Sequence, residues 1–347
     1  MKLKYFKRSL KFNIPAGTSR GVLKEKPSWI FYFEEHNEVY GECSIIPGLS
    51  PEYIDDTQLE TKIEWVCSTF NSLIKDKSLQ LVLSYFCFEL KNFPSLLFGL
   101  ETLFYNWNRV HKVDPFVSDF SRGIKGIPIN GLIWMGTKES MISQVNNKIN
   151  EGFTIIKLKI GAIDFKDELN LIKSIREQFG HDIEIRVDAN GAFEEKNIDH
   201  ILSSLKEQSV HSIEQPVKAG QHKLMKSLCR KNSIPIALDE ELIGVVDLGQ
   251  KTSLLEHIMP QYIILKPSLH GGIKGCMEWI DIANTMSIGW WLTSALESNI
   301  GLEMIARFSG CLDSEIPQGL GTGGLFQNNF PSNMHIKNGN LFLRNEK

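Results

Sequence analysis

Five polar side chains recur along the second half of the chain, each closing a short apolar run. They are Lys159 in IIKLK, Asp188 in IEIRVD, Glu214 in HSIE, Asp239 in IPIALD and Lys266 in YIILK. The steps between them are 29, 26, 25 and 27 residues. One β-strand plus a returning helix takes about that length when parallel strands are joined by crossovers. Charges at the C-terminal ends of successive strands are costly unless a site uses them. In a closed β/α barrel the loops at that end build the active site.

Side chains alternate across a strand, so Lys157 and Lys159 share one face and Leu158 takes the other. By the same parity Ile213 and Leu238 point outward if Glu214 and Asp239 point inward. Taken alone, a Lys-x-Lys is as often a solvated strand edge. Here it is surrounded by Ile155, Ile156, Leu158 and Ile160. A buried strand does not accept two charges idly.

Asp188, Glu214 and Asp239 come from three consecutive strands and repel one another if brought close. Any one of them could be a capping or ion-pair residue, but three in register point to a hard divalent cation. Mg²⁺ prefers such oxygen ligands, with Mn²⁺ as a substitute, and keeps open positions for substrate. A cation on a substrate carboxylate stabilises the charge that develops when the neighbouring carbon loses a proton. Lys159, beside the Lys157 ammonium and a metal charge, makes sense as the base, with Lys157 tuning it. Lys266 falls on the other side of the metal.

The elements that must position these groups are legible too. At 347 residues, two domains are expected. Residues 2–14 and a hairpin over 28–45, turning near His36-Asn37, read as strands. Helical patterns follow at 56–76, 79–91 and 95–110, giving a small α+β domain. The Gly-, Pro- and charge-rich stretch 15–27 reads as a mobile surface loop, a candidate lid. From IPINGLI (127–133) a βα alternation runs to about Gly319, with strands near 154–160, 183–188, 210–214, 235–239, 261–266 and 289–293. The tail HIKNGNLFLR (335–344) reads as a hairpin around Asn338-Gly339 that packs back onto the first domain.

Composition narrows the function class. A net charge of −3 gives no broad basic field for nucleic acid. The most apolar stretch, LQLVLSYFCFEL, is too short to cross a bilayer. The six cysteines form no Cys-x-x-Cys pair and read as reduced thiols of a cytoplasmic protein. Nine dispersed histidines give no zinc spacing. The expected partner is a small-molecule carboxylate.

The full set of motifs resembles the enolase superfamily and its muconate-lactonizing-enzyme subgroup. Lys157-Leu158-Lys159 matches the Lys-x-Lys of strand 2. Asp188 in DANG, Glu214 in IEQP and Asp239 in LDE match the three metal ligands, and Lys266 in LKP matches the strand-6 lysine. The resemblance implies α/β architecture: a (β/α)7β modified TIM barrel (121–321), an α+β capping domain (1–120), and a tail (322–347) completing the cap. Finer motifs are similar to those of the o-succinylbenzoate synthase family. These are Gly41-Glu42, Pro47-Gly48-Leu49-Ser50, Phe98-Gly99-Leu100-Glu101, Ser294-Ala295-Leu296-Glu297-Ser298 and Gly319-Leu320-Gly321-Thr322-Gly323. That family implies a Mg²⁺-dependent syn dehydration in menaquinone biosynthesis. Lys159 takes the proton α to a carboxylate and then helps hydroxide leave, while Lys266 stays charged against the enolate.

Other residues carry two readings. Arg20 either clamps the succinyl tail or is a solvated loop residue. Asn190 either supports the metal shell or caps the turn after strand 3. Arg186 shares the parity of Asp188, as a catalytic group or an internal ion partner. Ser294, Gly321 and Thr322 are candidate substrate contacts, the glycines offering backbone N–H groups to a carboxylate. Gly319–Gly324 also fits a dinucleotide-type spacing, but no βαβ unit with an acidic residue follows it. Rival functions are N-succinylamino acid racemase, dipeptide epimerase and muconate cycloisomerase of the same subgroup, a Schiff-base barrel, and a non-catalytic binding protein. The strand-8 end lacks the Asp-x-Asp of dipeptide epimerases.

Overall fold

The computed structural model describes residues 1–18, 21–312 and 314–344. Strands β1 (Leu3–Thr18), β2 (Gly21–Phe33) and β3 (His36–Ser44) form an antiparallel sheet in sequence order. Helices α1 (Asp56–Leu73), α2 (Leu79–Glu89) and α3 (Pro94–Val110) follow. Leu59, Ile63, Val66 and Phe70 of α1 recur at helical spacing and are buried, as is the α3 stretch from Leu96 to Phe104. The α1 residues and Leu96, Leu97, Leu100, Leu103 and Phe104 of α3 form one core with Trp29, Phe31 and Phe33 of the sheet, while Phe98 packs into the core of the second unit.

The second unit is a parallel βα array. Its strands are β4 (Ile127–Pro128), β5 (Gly131–Ile133), β6 (Ile155–Lys159), β7 (Glu184–Asp188), β8 (Ser212–Glu214), β9 (Ile236–Leu238), β10 (Tyr262–Leu265) and β11 (Gly289–Leu292). Those from β5 to β11 make one seven-stranded sheet in sequence order. Gln318 and Gly319 bridge Ile129 at one edge and Thr293 at the other, so the eighth position of the barrel is a single bridging segment. Around the sheet lie α4 (Lys138–Asn150), α5 (Phe165–Phe179), α6 (Glu195–Glu207), α7 (His222–Lys231), α8 (Leu248–Ile258), α9 (Gly272–Thr285) and α10 (Asn299–Gly310). In α6, Ile198, Ile201, Leu202 and Leu205 make the buried stripe, and Glu194 with Asn197 forms a capping box. Leu158, Ile213 and Leu238 join the core between sheet and helices, so the parity derived for these strands holds.

Three expectations change. Of the stretch 15–27, the described residues 15–18 and 21–27 are not a free loop: Ala16↔Leu23 and Gly17↔Val22 pair, as do Ser9↔Pro27 and Lys11↔Glu25. Pro15 falls in the register shift between Lys11 and Ala16, where a missing N–H does no harm. The turn between β2 and β3 is at Glu34-Glu35, and His36 already pairs with Phe33. The tail forms its hairpin, β12 (Met334–Lys337) with β13 (Asn340–Leu343), but β13 pairs with β4 of the barrel rather than with the first sheet. Contact with the first sheet comes earlier in the tail: Phe12 bridges Phe326, and Lys11 O accepts from Gln327 N at 2.9 Å.

The two units are joined through buried carboxylates. Glu42 of β3 accepts from Ser298 N (2.9 Å), Ser298 Oγ (2.6 Å) and Gly301 N (3.0 Å) at the start of α10. Glu101 of α3 accepts from Ile273 N (2.6 Å) and Lys274 N (3.2 Å) at the start of α9. Each satisfies N–H groups a helix end leaves open, and each sits at the positive end of a dipole. Close approach of β3 and α3 requires glycine: a Cβ on Gly41 would lie 2.0 Å from Gly99 O.

Candidate functional site

The C-terminal ends of the barrel strands place the charged groups together. Lys159, Asp188 and Glu214 stand in lateral register across β6, β7 and β8. Glu214 pairs with Ala237, which puts Asp239 two residues further towards the mouth. All are buried: Asp188 and Asp239 are 0% exposed and Lys159 is 9% exposed.

Lys159 Nζ donates to Asp188 Oδ2 at 2.6 Å and to Asn190 Oδ1 at 3.0 Å. Lys157 Nζ lies 3.3 Å from Asp188 Oδ2 and 2.9 Å from Glu214 Oε2. Lys266 Nζ bonds Asp239 Oδ2 and stands 3.9 Å from Glu214 Oε1. Three lysine side chains thus face three carboxylates and interleave with them.

The electrostatics follow from this interleaving. Burial opposes charge on Lys157, but Glu214 and Asp188 outweigh it and hold the ammonium above its ordinary range. For Lys266 burial again opposes, and Asp239 with Glu214 raises it. Burial raises Asp188, yet Lys159, Lys157 and Lys266 carry it well below the usual carboxylate range. Glu214 goes the other way: burial and the Asp188 charge lift it to about 7 against the pull of Lys157. Asp239 is raised by burial, with Lys266 opposing.

Two carboxylate oxygens, Glu214 Oε1 and Asp239 Oδ1, are buried and have no hydrogen-bond partner among the described residues. An all-oxygen donor set with unspent lone pairs fits a hard divalent cation. The acids are bridged by lysines rather than gathered on one another. Among the described residues no three His, Cys, Asp or Glu side chains form a metal-holding group.

Above the lysines is a cavity of about 360 Å³. Lys157, Lys159, Lys266 and Asn190 line its polar floor. Ser294, Gly321 and Thr322 line its wall, as do Asn130, Thr293 and Gly319. Ala16, Val22 and Leu23 of the β1–β2 hairpin and Pro47-Gly48-Leu49 of the first unit cover it. Arg20, expected near the substrate, lies outside the described residues. Asn190 holds a left-handed φ of 46° in the turn after β7. Its N–H bonds Asp188 Oδ1 (3.1 Å), and its amide links Lys159 to Glu240 Oε1 at 3.0 Å. Ser294 Oγ donates to Glu297 Oε2 at 2.6 Å, while Thr322 Oγ1 and Asn130 Oδ1 are buried with no hydrogen-bond partner among the described residues.

Arg186 is an internal partner. Its Nε bonds Glu184 (2.7 Å), its Nη1 bonds Pro317 O (3.1 Å), and it stacks 4.7 Å from the Trp291 ring, below the cavity. Three contributors were missed by sequence reasoning. Gln215 accepts from Asp239 N (3.1 Å) and Glu241 N (3.2 Å), fixing the Asp239 turn. Asn130 was readable only as a polar break in an apolar run. The hairpin residues Ala16 and Leu23 were hidden in the stretch taken for a loop.

Residues 140–346 match the family described as Enolase C-terminal domain-like. The o-succinylbenzoate synthase of Desulfotalea psychrophila is 41% identical to this chain, the match covering 98% of each. The crystal structure of MenC from the same organism superposes with a TM-score of 0.82 at 37% identity, covering 99% of each chain. A dipeptide epimerase from Enterococcus faecalis, solved with Mg and L-Leu-L-Tyr, shares the fold at a TM-score of 0.82 and 18% identity, over 99% of this chain and 97% of its own. With its barrel, its interleaved lysines and carboxylates and a full-length relative, the chain belongs to the enolase superfamily, in the family of the o-succinylbenzoate synthases.

Proposed function

We propose that the chain dehydrates 2-succinyl-6-hydroxy-2,4-cyclohexadiene-1-carboxylate to 2-succinylbenzoate, the reaction of the o-succinylbenzoate synthases. The observation that carries this reading is the pairing of Lys159 and Lys266 at the floor of one cavity, in a chain 41% identical over 98% of its length to such a synthase. Lys159 Nζ takes the proton from the ring carbon bearing the carboxylate. The same ammonium returns the proton to the departing hydroxyl on that face. The electron pair left by the first step becomes the new ring double bond, and water leaves as the ring becomes aromatic. Lys266, held charged by Asp239 and Glu214, faces the negative charge that develops in between.

Asp188, Glu214 and Asp239 would hold Mg²⁺. When bound, the ion supplies positive charge to the substrate carboxylate. The ammonium groups of Lys157 and Lys266, with the ion, would face a substrate that carries two carboxylates. Lys157 stays an ammonium on the same face of β6 as Lys159. In this reading residues 1–120 cap the site, with the paired stretches 15–18 and 21–27 as a lid. Residues 121–321 carry the chemistry and 322–344 tie the two together.

A second reading, racemisation of N-succinyl amino acids, uses the same two lysines on opposite faces of the substrate. A direct assay separates the two. Dehydration of the cyclohexadiene should be Mg²⁺-dependent and lost with EDTA. Turnover of N-succinyl amino acids alone, or dehydration that survives chelation, would refute the proposal.

A further inference from the structure

Lys266 leaves β10 just where the ladder ends, since Leu265 is the last residue of that strand. Its backbone N–H is taken up by a side chain, donating to His270 Nδ1 at 2.9 Å. The backbone closes the same loop: Lys266 O accepts from Leu269 N (2.8 Å) and His270 N (3.0 Å). One residue therefore grips both main-chain polar groups of Lys266. His270 is only 3% exposed and is held in turn from behind. A Cβ on Gly275 of α9 would come within 2.1 Å of His270 O, so this position needs glycine to let the helix pack there.

The tautomer is fixed by this contact. Nδ1 accepts, so the ring proton sits on Nε2, which has no hydrogen-bond partner among the described residues. Burial and the charges of Lys266 and Lys251 push His270 well below its ordinary pKa, so the ring stays neutral. A buried donor left without a partner is unusual and needs a reason. The fixed acceptor facing Lys266 supplies one.

We infer that His270 is a positioning residue for Lys266: its neutral imidazole fixes the backbone from which the Lys266 ammonium reaches Asp239 and the cavity. This rests on the catalytic reading of Lys266. An error of about 1 Å in a catalytic group costs on the order of a hundredfold in rate.

The test measures kcat and KM for dehydration in four variants, corrected for folded protein. His270→Leu removes the acceptor at similar volume and should lower kcat roughly ten- to a hundredfold, with KM within about twofold. His270→Asn places an amide oxygen near the Nδ1 position and should restore kcat to within about threefold. His270→Gln keeps an amide but carries its oxygen too far out, and should stay impaired. This comparison decides the matter even where the Leu variant folds poorly, because equal kcat in the Asn and Gln variants overturns the inference. Lys266→Ala is the control. If it keeps full activity, the catalytic reading of Lys266 fails; if it is inactive while His270→Leu turns over normally, only the positioning role fails.

Discussion

Moving two residues down the strands from the mouth of the barrel exchanges one chemistry for another. At the mouth stand Lys159, Asp188, Glu214, Asp239 and Lys266, all buried and all charged or hydrogen-bonding. One step below on the same inward faces, Ala237 and Ile264 pack with Trp291, and Arg186 stacks on that ring. The strands are the same and the burial is the same. Burying a network of charges brings little net stability, since desolvation offsets attraction. Lys157 at this level belongs with the charges above it, but around Trp291 the lower layer is close packing that stabilises by its area. Substitutions in the upper layer should therefore act on rate, and those in the lower layer on stability.

The largest effect is expected at Lys159. Lys159→Ala should lower kcat roughly a thousandfold or more while the protein still folds, since Lys157 remains 3.3 Å from Asp188, read by steady-state assay and thermal unfolding. A matching loss of stability would erase the contrast between layers. Lys266→Ala comes next. It leaves Asp239 buried without its nearest cation, and activity should fall by a smaller factor than in Lys159→Ala, read by steady-state assay. Trp291→Ala inverts the pattern: about 3–5 kcal/mol of stability should go, measured by denaturant midpoint, while the folded fraction keeps most of its kcat.

The smallest effect sharpens the comparison at the joint between the units. Burial lifts Glu101 to about 7 against the Ile273 and Lys274 amides that lower it. A carboxyl raised on folding contributes stability that is whole below its ordinary pKa of 4.5 and is lost as pH rises through about 7. The native protein should lose stability over that window, and Glu101→Gln should flatten the slope. An unchanged slope in the variant would show that other groups set it.

How much of this was legible follows from the kind of signal. Lys159, Asp188, Glu214, Asp239 and Lys266 were found because strand parity and a βα repeat are local, one-dimensional patterns. Helix limits came within a few residues for the same reason: 56–76 was expected for α1 and Asp56–Leu73 is observed. The stretch 15–27 misled because its glycine, proline and charges lower strand propensity. The segment is a strand through its partner: Leu23 and Ala16 turn inward over the cavity and Lys26 is buried with its Nζ 2.5 Å from Ser44 Oγ. The tail hairpin was visible in Asn338-Gly339, but its partner strand was not, since β4 is only Ile127–Pro128 and carries no pattern of its own.

The amino-acid order alone settled the period of the barrel, the inward parity of each strand and the residue types at its mouth, because these depend on neighbours in sequence. Tertiary structure decided who neutralises whom. Only packing could set Lys157 between Asp188 and Glu214, give Lys266 to Asp239, seat Glu42 and Glu101 on helix ends, and put His270 behind Lys266. Coulomb attraction and hydrogen bonding act over a few ångströms, and chain order does not carry those distances between strands.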